Sequence, residues 1–248
     1  MCTAIIRFQP EHQWPLLVAS LRDEDRSRAW EAPAAWWPET HPGVIGGRDL
    51  TQGGTWLAVD PRRQRVAILL NRTDPVGVSN APYQSRGILP LDVVAGRWSL
   101  TTQDMAAFRP FNLVFAERQR VIWWRYDGLR LRQSAVGPGL HMINASNLDD
   151  EQDLRQAYWA PLFADAAPPT VRLTGTARES WGEWIDLLAG SGMSEDDDRA
   201  LNVKRVSGRP NVGTVSGALV ALSVRGEIRF DFSPAPPDHN RWERVACG

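Results

Sequence analysis

Cysteine is nearly missing from this chain: two residues in 248, Cys2 and Cys247, at opposite ends. Two thiols so placed offer no disulfide framework. An excess of one charge is missing too, since 28 basic and 29 acidic side chains leave a net charge of -1. Such a balance carries no footprint for nucleic acid or for an anionic membrane surface. No apolar run is long enough for a membrane span, and no secretory leader pattern is present, so the expectation is a soluble, cytoplasmic protein. The four histidines, His12, His41, His141 and His239, lack paired ligand spacing, and no glycine loop has phosphate-cradling form. Neither a metal nor a cofactor is therefore expected. The acidic run Glu195-Asp196-Asp197-Asp198 reads as a solvated loop, because one extended stretch cannot surround an ion with oxygen ligands.

What is present is ordinary globular material, 43% apolar and 23% charged. A chain of this length buries roughly 70 to 75 per cent of its unfolded surface, and one domain over residues 1–248 is expected. Period-two and β-rich runs predict strands at 2–8, 16–21, 54–59, 65–70, 111–117, 121–126, 130–136, 212–224 and 227–232. Asp127-Gly128 and Arg225-Gly226 mark tight turns, and the first two strands can pair across a loop holding Pro10 and Pro15. Helical spacing is best over 150–166 and 177–189, where Trp181, Trp184, Ile185 and Leu188 share one face and read as core. Ala166-Ala167-Pro168-Pro169 ends the first helix. Gly46-Gly47 and Gly53-Gly54, around Arg48-Asp49-Leu50, read as turn geometry. Strands at both ends with helices between, and few βαβ spacings, predict an α+β fold of stacked antiparallel sheets.

Cys2 follows Met1 and opens the first strand. A small second side chain permits removal of the initiator methionine, which would leave a terminal cysteine carrying a thiol and a free α-amine. That amine, with a pKa of roughly 7.7 to 8, can take up the thiol proton near neutral pH. If strand 16–21 lies antiparallel to strand 2–8, its end brings Arg22 and Asp23 beside Cys2. A guanidinium there favours the thiolate, and lowering the thiol from about 8.5 to about 7 needs only roughly 2 kcal/mol. The same Arg-Asp-Glu-Asp-Arg string also reads as a solvated surface stretch. Cys247, one residue from the end, reads as an inert thiol in a frayed tail.

Arg22-Asp23-Glu24 after a strand, Ala32-Pro33 with Trp36-Trp37, Gly46-Gly47-Arg48-Asp49-Leu50 and Gly53-Gly54-Thr55-Trp56-Leu57 occur in that order. Ser85-Arg86-Gly87 with Leu89 and Leu91-Asp92, Gly139-Leu140-His141 leading to Asn144, and Gly213-Thr214 follow. This succession resembles the NRDE family, also called the transport and Golgi organisation protein 2 family, which is similar in turn to N-terminal nucleophile hydrolases of the choloylglycine hydrolase and penicillin V acylase type. The resemblance implies a four-layer αββα sandwich and cleavage of a linear, non-peptide amide. By motif, Cys2 would be the nucleophile and its α-amine the base. Arg22 and Asp23 would polarise the thiol and anchor the amine. Asn71 and Asn144 would donate to the oxyanion.

The chain departs from the family pattern at Leu21, where the motif begins with Asn, and at Val215, where many relatives carry Arg. Arg205 or Arg209 are the candidates to replace that charge. Two readings follow. One is an N-terminal cysteine hydrolase acting on a small-molecule amide or acyl thioester. The other is a non-catalytic carrier for haem or an acyl lipid on the same fold.

Overall fold

The computed structural model describes residues 2–73, 83–97, 102–190, 193, 197–204, 210–237 and 241–247. His239, Glu195, Asp196, Arg205 and Arg209 lie outside the described residues. In chain order the elements are β1 (Thr3–Phe8), β2 (Leu16–Asp25), β3 (Trp30–Ala34), β4 (Ile45–Asp49), β5 (Leu57–Asp60) and β6 (Arg65–Asn71). Then come α1 (Ile88–Val94), α2 (Thr102–Met105), β7 (Phe111–Glu117), β8 (Arg120–Tyr126), β9 (Leu131–Val136) and β10 (Gly139–Ile143). Helices α3 (Leu154–Asp165), α4 (Ala177–Trp181) and α5 (Glu183–Ala189) precede β11 (Val212–Leu222), β12 (Ile228–Ser233) and β13 (Glu243–Arg244).

Two sheets form, one of six strands in the order β10-β1-β2-β11-β12-β13 and one of seven in the order β3-β4-β5-β6-β7-β8-β9. Every strand pairing within each sheet is antiparallel. Period-two alternation decides which side chains go where. Ala4, Ile6, Leu16, Val18, Ala218 and Val220 of the first sheet meet Val59, Val66, Ile68, Leu70 and Val114 of the second in one buried cluster. The intervening residues Ile5, Leu17, Ala19, Leu21 and Leu219 turn the other way, onto Trp159 and Phe163 of α3 and Trp181, Trp184 and Leu188 of α4 and α5. On the outer side of the second sheet, Ala67, Leu69, Leu113 and Phe115 pack under Leu89, Leu91 and Val94 of α1 and Met105 of α2. Three cores in this sequence make four layers, αββα, as the family resemblance implies. Each large apolar side chain so enclosed contributes about 1.5 to 3 kcal/mol.

Local chemistry sets the helix limits. Asp153 caps α3 by accepting from the backbone amides of Arg155 and Gln156, and Thr176 with Glu179 forms a capping box at the start of α4. The single helix predicted over 177–189 is two, because Gly182 takes a φ of +52° and interrupts it. Trp181, Trp184, Ile185 and Leu188 are nonetheless fully buried. Strand β2 runs four residues past its predicted end, carrying Arg22, Asp23, Glu24 and Asp25 inside the sheet.

The segment read as turn geometry around Gly46 is strand β4, paired with β5 through Ile45↔Val59 and Gly46↔Ala58. The glycines serve close approach there. The ring of Trp56 lies on Gly47, where any Cβ would collide with it. Cys247 packs with Val245 against the core between the sheets, which corrects the frayed tail.

Candidate functional site

Strand register places the first candidate. Pairing of β1 with β2 runs from Phe8↔Leu16 to Thr3↔Leu21, so the next step sets Cys2 beside Arg22. Both continue the rows that face the second sheet: Cys2 follows Ala4 and Ile6 and packs against their cluster, and Arg22 follows Val18. Asp23 belongs to the opposite row, with Ala19 and Leu21. One step of alternation thus separates the pair expected to act together.

On its own side, Asp23 is held by buried partners. Thr214 donates its hydroxyl to the carboxylate at 2.6 Å, and Arg155 of α3 approaches at 3.5 Å while donating to the Thr3 hydroxyl at 2.9 Å. A bulge in β11 between Thr214 and Ser216 turns Thr214 towards this face. The backbone of Asp23 serves Cys2 instead. Its N–H donates to the sulfur at 3.4 Å, and its carbonyl accepts from the thiol at 3.5 Å.

Cys2, Arg22 and Asn71 line one cavity of about 400 Å³, together with Glu24, Arg28, Asp49, Trp56, Tyr83, Arg86 and Arg109. Its wall is brought in by a contact of Gly54 with Gly87, close enough that a Cβ on Gly54 would fall 2.5 Å from the Gly87 backbone. The guanidinium carbon of Arg22 lies over the Trp56 ring, 4.1 Å from its centroid, and Arg22 donates to Asp49 at 3.3 Å. Arg28 grips the same carboxylate at 2.5 and 3.1 Å. Although burial opposes ionisation, bonds from Arg28 and the Gln52 amide and the charges of Arg28 and Arg22 hold Asp49 below the usual carboxylate range. Burial draws the Arg22 guanidinium down, against the pull of Cys2, Glu24 and Asp49.

For the thiol the balance falls opposite to the sequence expectation. Burial pushes Cys2 above its ordinary value and the Asp23 charge adds to it, while the charge of the N-terminus, the Asp23 N–H and Arg22 pull down without offsetting them. Desolvation of the anion outweighs one guanidinium that is already shared with two carboxylates. The raised pKa favours the neutral thiol at rest.

Asn144 lies elsewhere. It follows Ile143, the partner of Ala4, and so stands across from Thr3 on the helical face. Its amide donates to Asp153 at 2.8 Å, and its oxygen accepts from Ser146 N–H and hydroxyl at 2.8 and 2.7 Å and from Gln156 at 3.2 Å. The cavity with Cys2 does not include it. Asn112 of β7 reaches across from the second sheet to the carbonyls of Asn144 and Ser146, at 2.9 and 2.7 Å.

Arg28, Asp49, Trp56, Arg155 and Thr214 went unread as site residues in the sequence. Asp49 and Trp56 stood inside the Gly46–Leu57 motif and were the findable ones. Thr214 stood in the Gly213-Thr214 motif, and only Arg155 carries no local signal, being brought in by the third dimension.

A second, larger cavity of about 1020 Å³ opens between the sheets by Ile45, Ile228, Phe232 and Cys247. Its thiol is pushed up to about 11 by burial, and Arg244 of its lining pairs with Asp231 at 3.3 Å. The motif residues Cys2, Arg22 and Asn71 line the smaller cavity instead. Among the described residues, no group of three or more His, Cys, Asp or Glu side chains is placed to hold a metal ion, and no helix is long and apolar enough to cross a membrane.

Residues 1–160 match the sequence profile of the family described as Transport and Golgi organisation 2. The chain belongs to that family. The matched part carries β1 to β10 and so includes Cys2, Arg22, Asp23, Asn71 and Asn144. Comparison with curated proteins finds no match. Among solved structures, a Caenorhabditis elegans N-acylethanolamine-hydrolyzing acid amidase ortholog aligns over 99% of this chain and 100% of its own, with a TM-score of 0.46 and 12% identity.

Proposed function

We propose that this member of the Transport and Golgi organisation 2 family is an N-terminal cysteine hydrolase acting on the carbon–nitrogen bond of a small linear amide, or the carbon–sulfur bond of a thioester. The observation that carries the reading is the position of Cys2, in register with Arg22 at the wall of the 400 Å³ cavity. A thiol that is neutral at rest needs a base at the moment of attack. After removal of Met1, the α-amine of Cys2 is that base. It takes the thiol proton as sulfur bonds to the substrate carbonyl, and Arg22 stabilises the negative charge that develops.

Asn71 is the side-chain donor for the resulting oxyanion, and replacing it with Ala lowers turnover by about 10² to 10³-fold. Collapse of the adduct breaks the bond to the leaving group, which takes the proton from the amine. Water then adds to the thioester and releases the acid. Asp23 acts through its backbone on the sulfur and through its charge on the amine, while Asn144 shapes the chain around Ser146.

A second reading has its own support. The engagement of Asn144 by Asp153, Ser146 and Gln156, and the raised thiol, also suit a carrier of haem or an acyl lipid that performs no chemistry. Intact-mass analysis before and after iodoacetamide separates the two. Loss of Met1, one label on Cys2 and loss of amidase activity in Cys2→Ser are expected of the hydrolase. Retained Met1 removes it, because an amide nitrogen is no base. Ligand binding that is unchanged by Cys2→Ala, without turnover, favours the carrier.

A further inference from the structure

Helix α3 lies in the outer helical layer, with Arg155, Gln156, Trp159 and Phe163 turned inward. The outward face of a surface helix ordinarily carries charged or polar side chains. On α3 that face is apolar. Leu154, Tyr158 and Leu162 are 62%, 40% and 39% exposed, and Ala157, Pro161 and Ala164 are exposed between and beside them. Leu154, Tyr158 and Pro161 stand at i, i+4 and i+7, the spacing by which a helix presents anchors to a partner. The one charged residue from Leu154 to Ala164 is Arg155, and it is buried.

A groove of about 420 Å³ runs beside the stripe, lined by Leu140, Ala157, Ala160, Pro161 and Ala164. Pro161 has no N–H to give to the carbonyl of Ala157 four residues before it. Carboxylates stand at both ends of the face. Asp149, Asp150 and Glu151 line the groove where α3 begins, and exposed Asp165 closes α3, at the end where the helix dipole disfavours an anion. Asp149 is engaged by His141, and Asp150 by the backbone amides of Asn147 and Gln152. Glu151 and Asp165 make no hydrogen bond or ion pair among the described residues. Arg199 reaches over the Tyr158 ring at 5.0 Å, but both oxygens of Asp197 hold it.

We infer that the outer face of α3 docks a helical segment of another protein, apolar along one stripe and basic at its ends. The apolar stripe covers Leu154, Tyr158 and Pro161, and lysine or arginine meets Glu151 and Asp165. Apolar anchors hold such a partner, while charge at the rim selects it. A second copy of this chain does not fit. Pairing two copies of α3 about a two-fold axis sets Glu151 against Asp165 when the helices run antiparallel, and each acid against its own copy when they run parallel. The same acids repel an anionic membrane surface.

The test is fluorescence anisotropy of three labelled model helices titrated with the whole chain. One has a leucine stripe with lysines at both ends. The second has glutamates in place of those lysines, and the third keeps the lysines but has serines in place of the leucines. The first is expected to bind about tenfold or more tightly than either of the others, and less tightly as salt is raised. Leu154→Ser/Tyr158→Ser should abolish its binding, and Glu151→Lys/Asp165→Lys should transfer the preference to the glutamate helix. No binding of the first helix, equal binding of the first and either of the others, or a preference untouched by the charge exchange overturns the inference. So does self-association in sedimentation that Leu154→Ser/Tyr158→Ser removes, because a second copy then occupies the face. The comparison of the three helices on the unaltered chain decides even if a variant fails to fold.

Discussion

The sulfur of Cys2 is bracketed by the backbone of Asp23, accepting from its N–H at 3.4 Å and donating to its carbonyl at 3.5 Å. The carboxylate of the same residue points to the other side of the sheet, towards Thr214 and Arg155. One residue therefore steadies the thiol through its main chain and raises its pKa through its charge.

This arrangement fixes how the thiol responds to pH. Burial and the Asp23 charge hold Cys2 above its ordinary value, so the rate of alkylation by iodoacetamide should keep rising past pH 9 and show its inflection above that of a free thiol. Replacing Asp23 with Asn removes the second contribution and should move the inflection down. An inflection near pH 7 in the unaltered protein would contradict the balance of burial over the Arg22 charge.

Gly47 is the seat of the Trp56 ring, and that ring is the seat of Arg22. Gly47→Ala forces a methyl into the indole, at a cost of about 1 to 3 kcal/mol for overpacking. Because the displaced ring carries Arg22 with it, amidase activity should fall by more than the stability loss explains. Urea unfolding and turnover on the same preparation check both halves.

His141 and Asp149 provide a pH test far from the cavity. Asp149 accepts from the ring at 2.6 Å and raises the His141 pKa above 6.5, helped by its charge and by the Gly137 carbonyl against the effect of burial. A pKa raised by folding means the protonated form is favoured in the folded state. The stabilisation is therefore fully present below about pH 6.5 and is lost as pH rises through the folded value. Asp149→Asn should lower the melting temperature more at pH 6 than at pH 8.5. An equal drop at both would show that the pair contributes no pH-linked stability.

Trp184 is fully enclosed, edge-on to Phe163 at 5.3 Å and beside Trp181 at 6.2 Å. Trp184→Ala should cost about 3 to 5 kcal/mol, since the helical layer cannot collapse into a space bordered by two other rings. Denaturant unfolding reads this directly. A cost under 1 kcal/mol would mean that the layer is loosely packed.

Strands β1, β7, β8 and β12 were readable from alternation, and the pairing of β1 with β2 followed from the short loop between them. The neighbourhood of Cys2 followed from that pairing, and Arg22 with it. Glycine misled the reading at Gly46 and Gly47, where it makes room for Leu57 and Trp56 inside a sheet and breaks nothing. Gly182 went unread as a helix break because Trp181 and Trp184 keep helical spacing on both sides of it. The opposite facings of Arg22 and Asp23 were implicit in period two once β2 was known to continue through them. Thr214 stood in a quoted motif, but its contact with Asp23 and that of Arg155 were not legible, because contacts so distant along the chain leave no trace in local pattern.

Strand β1 lies inside its sheet, and its neighbour β10 and the bulged β11 beyond β2 are made long after it. Pairings of that reach carry a large loop-closure cost and form late in folding. During synthesis the Cys2 sulfur therefore waits, still wet and unguarded, until the distal half of the chain arrives. On the hydrolase reading, that interval is the time open to removal of Met1, before β10 and β11 flank the paired β1 and β2.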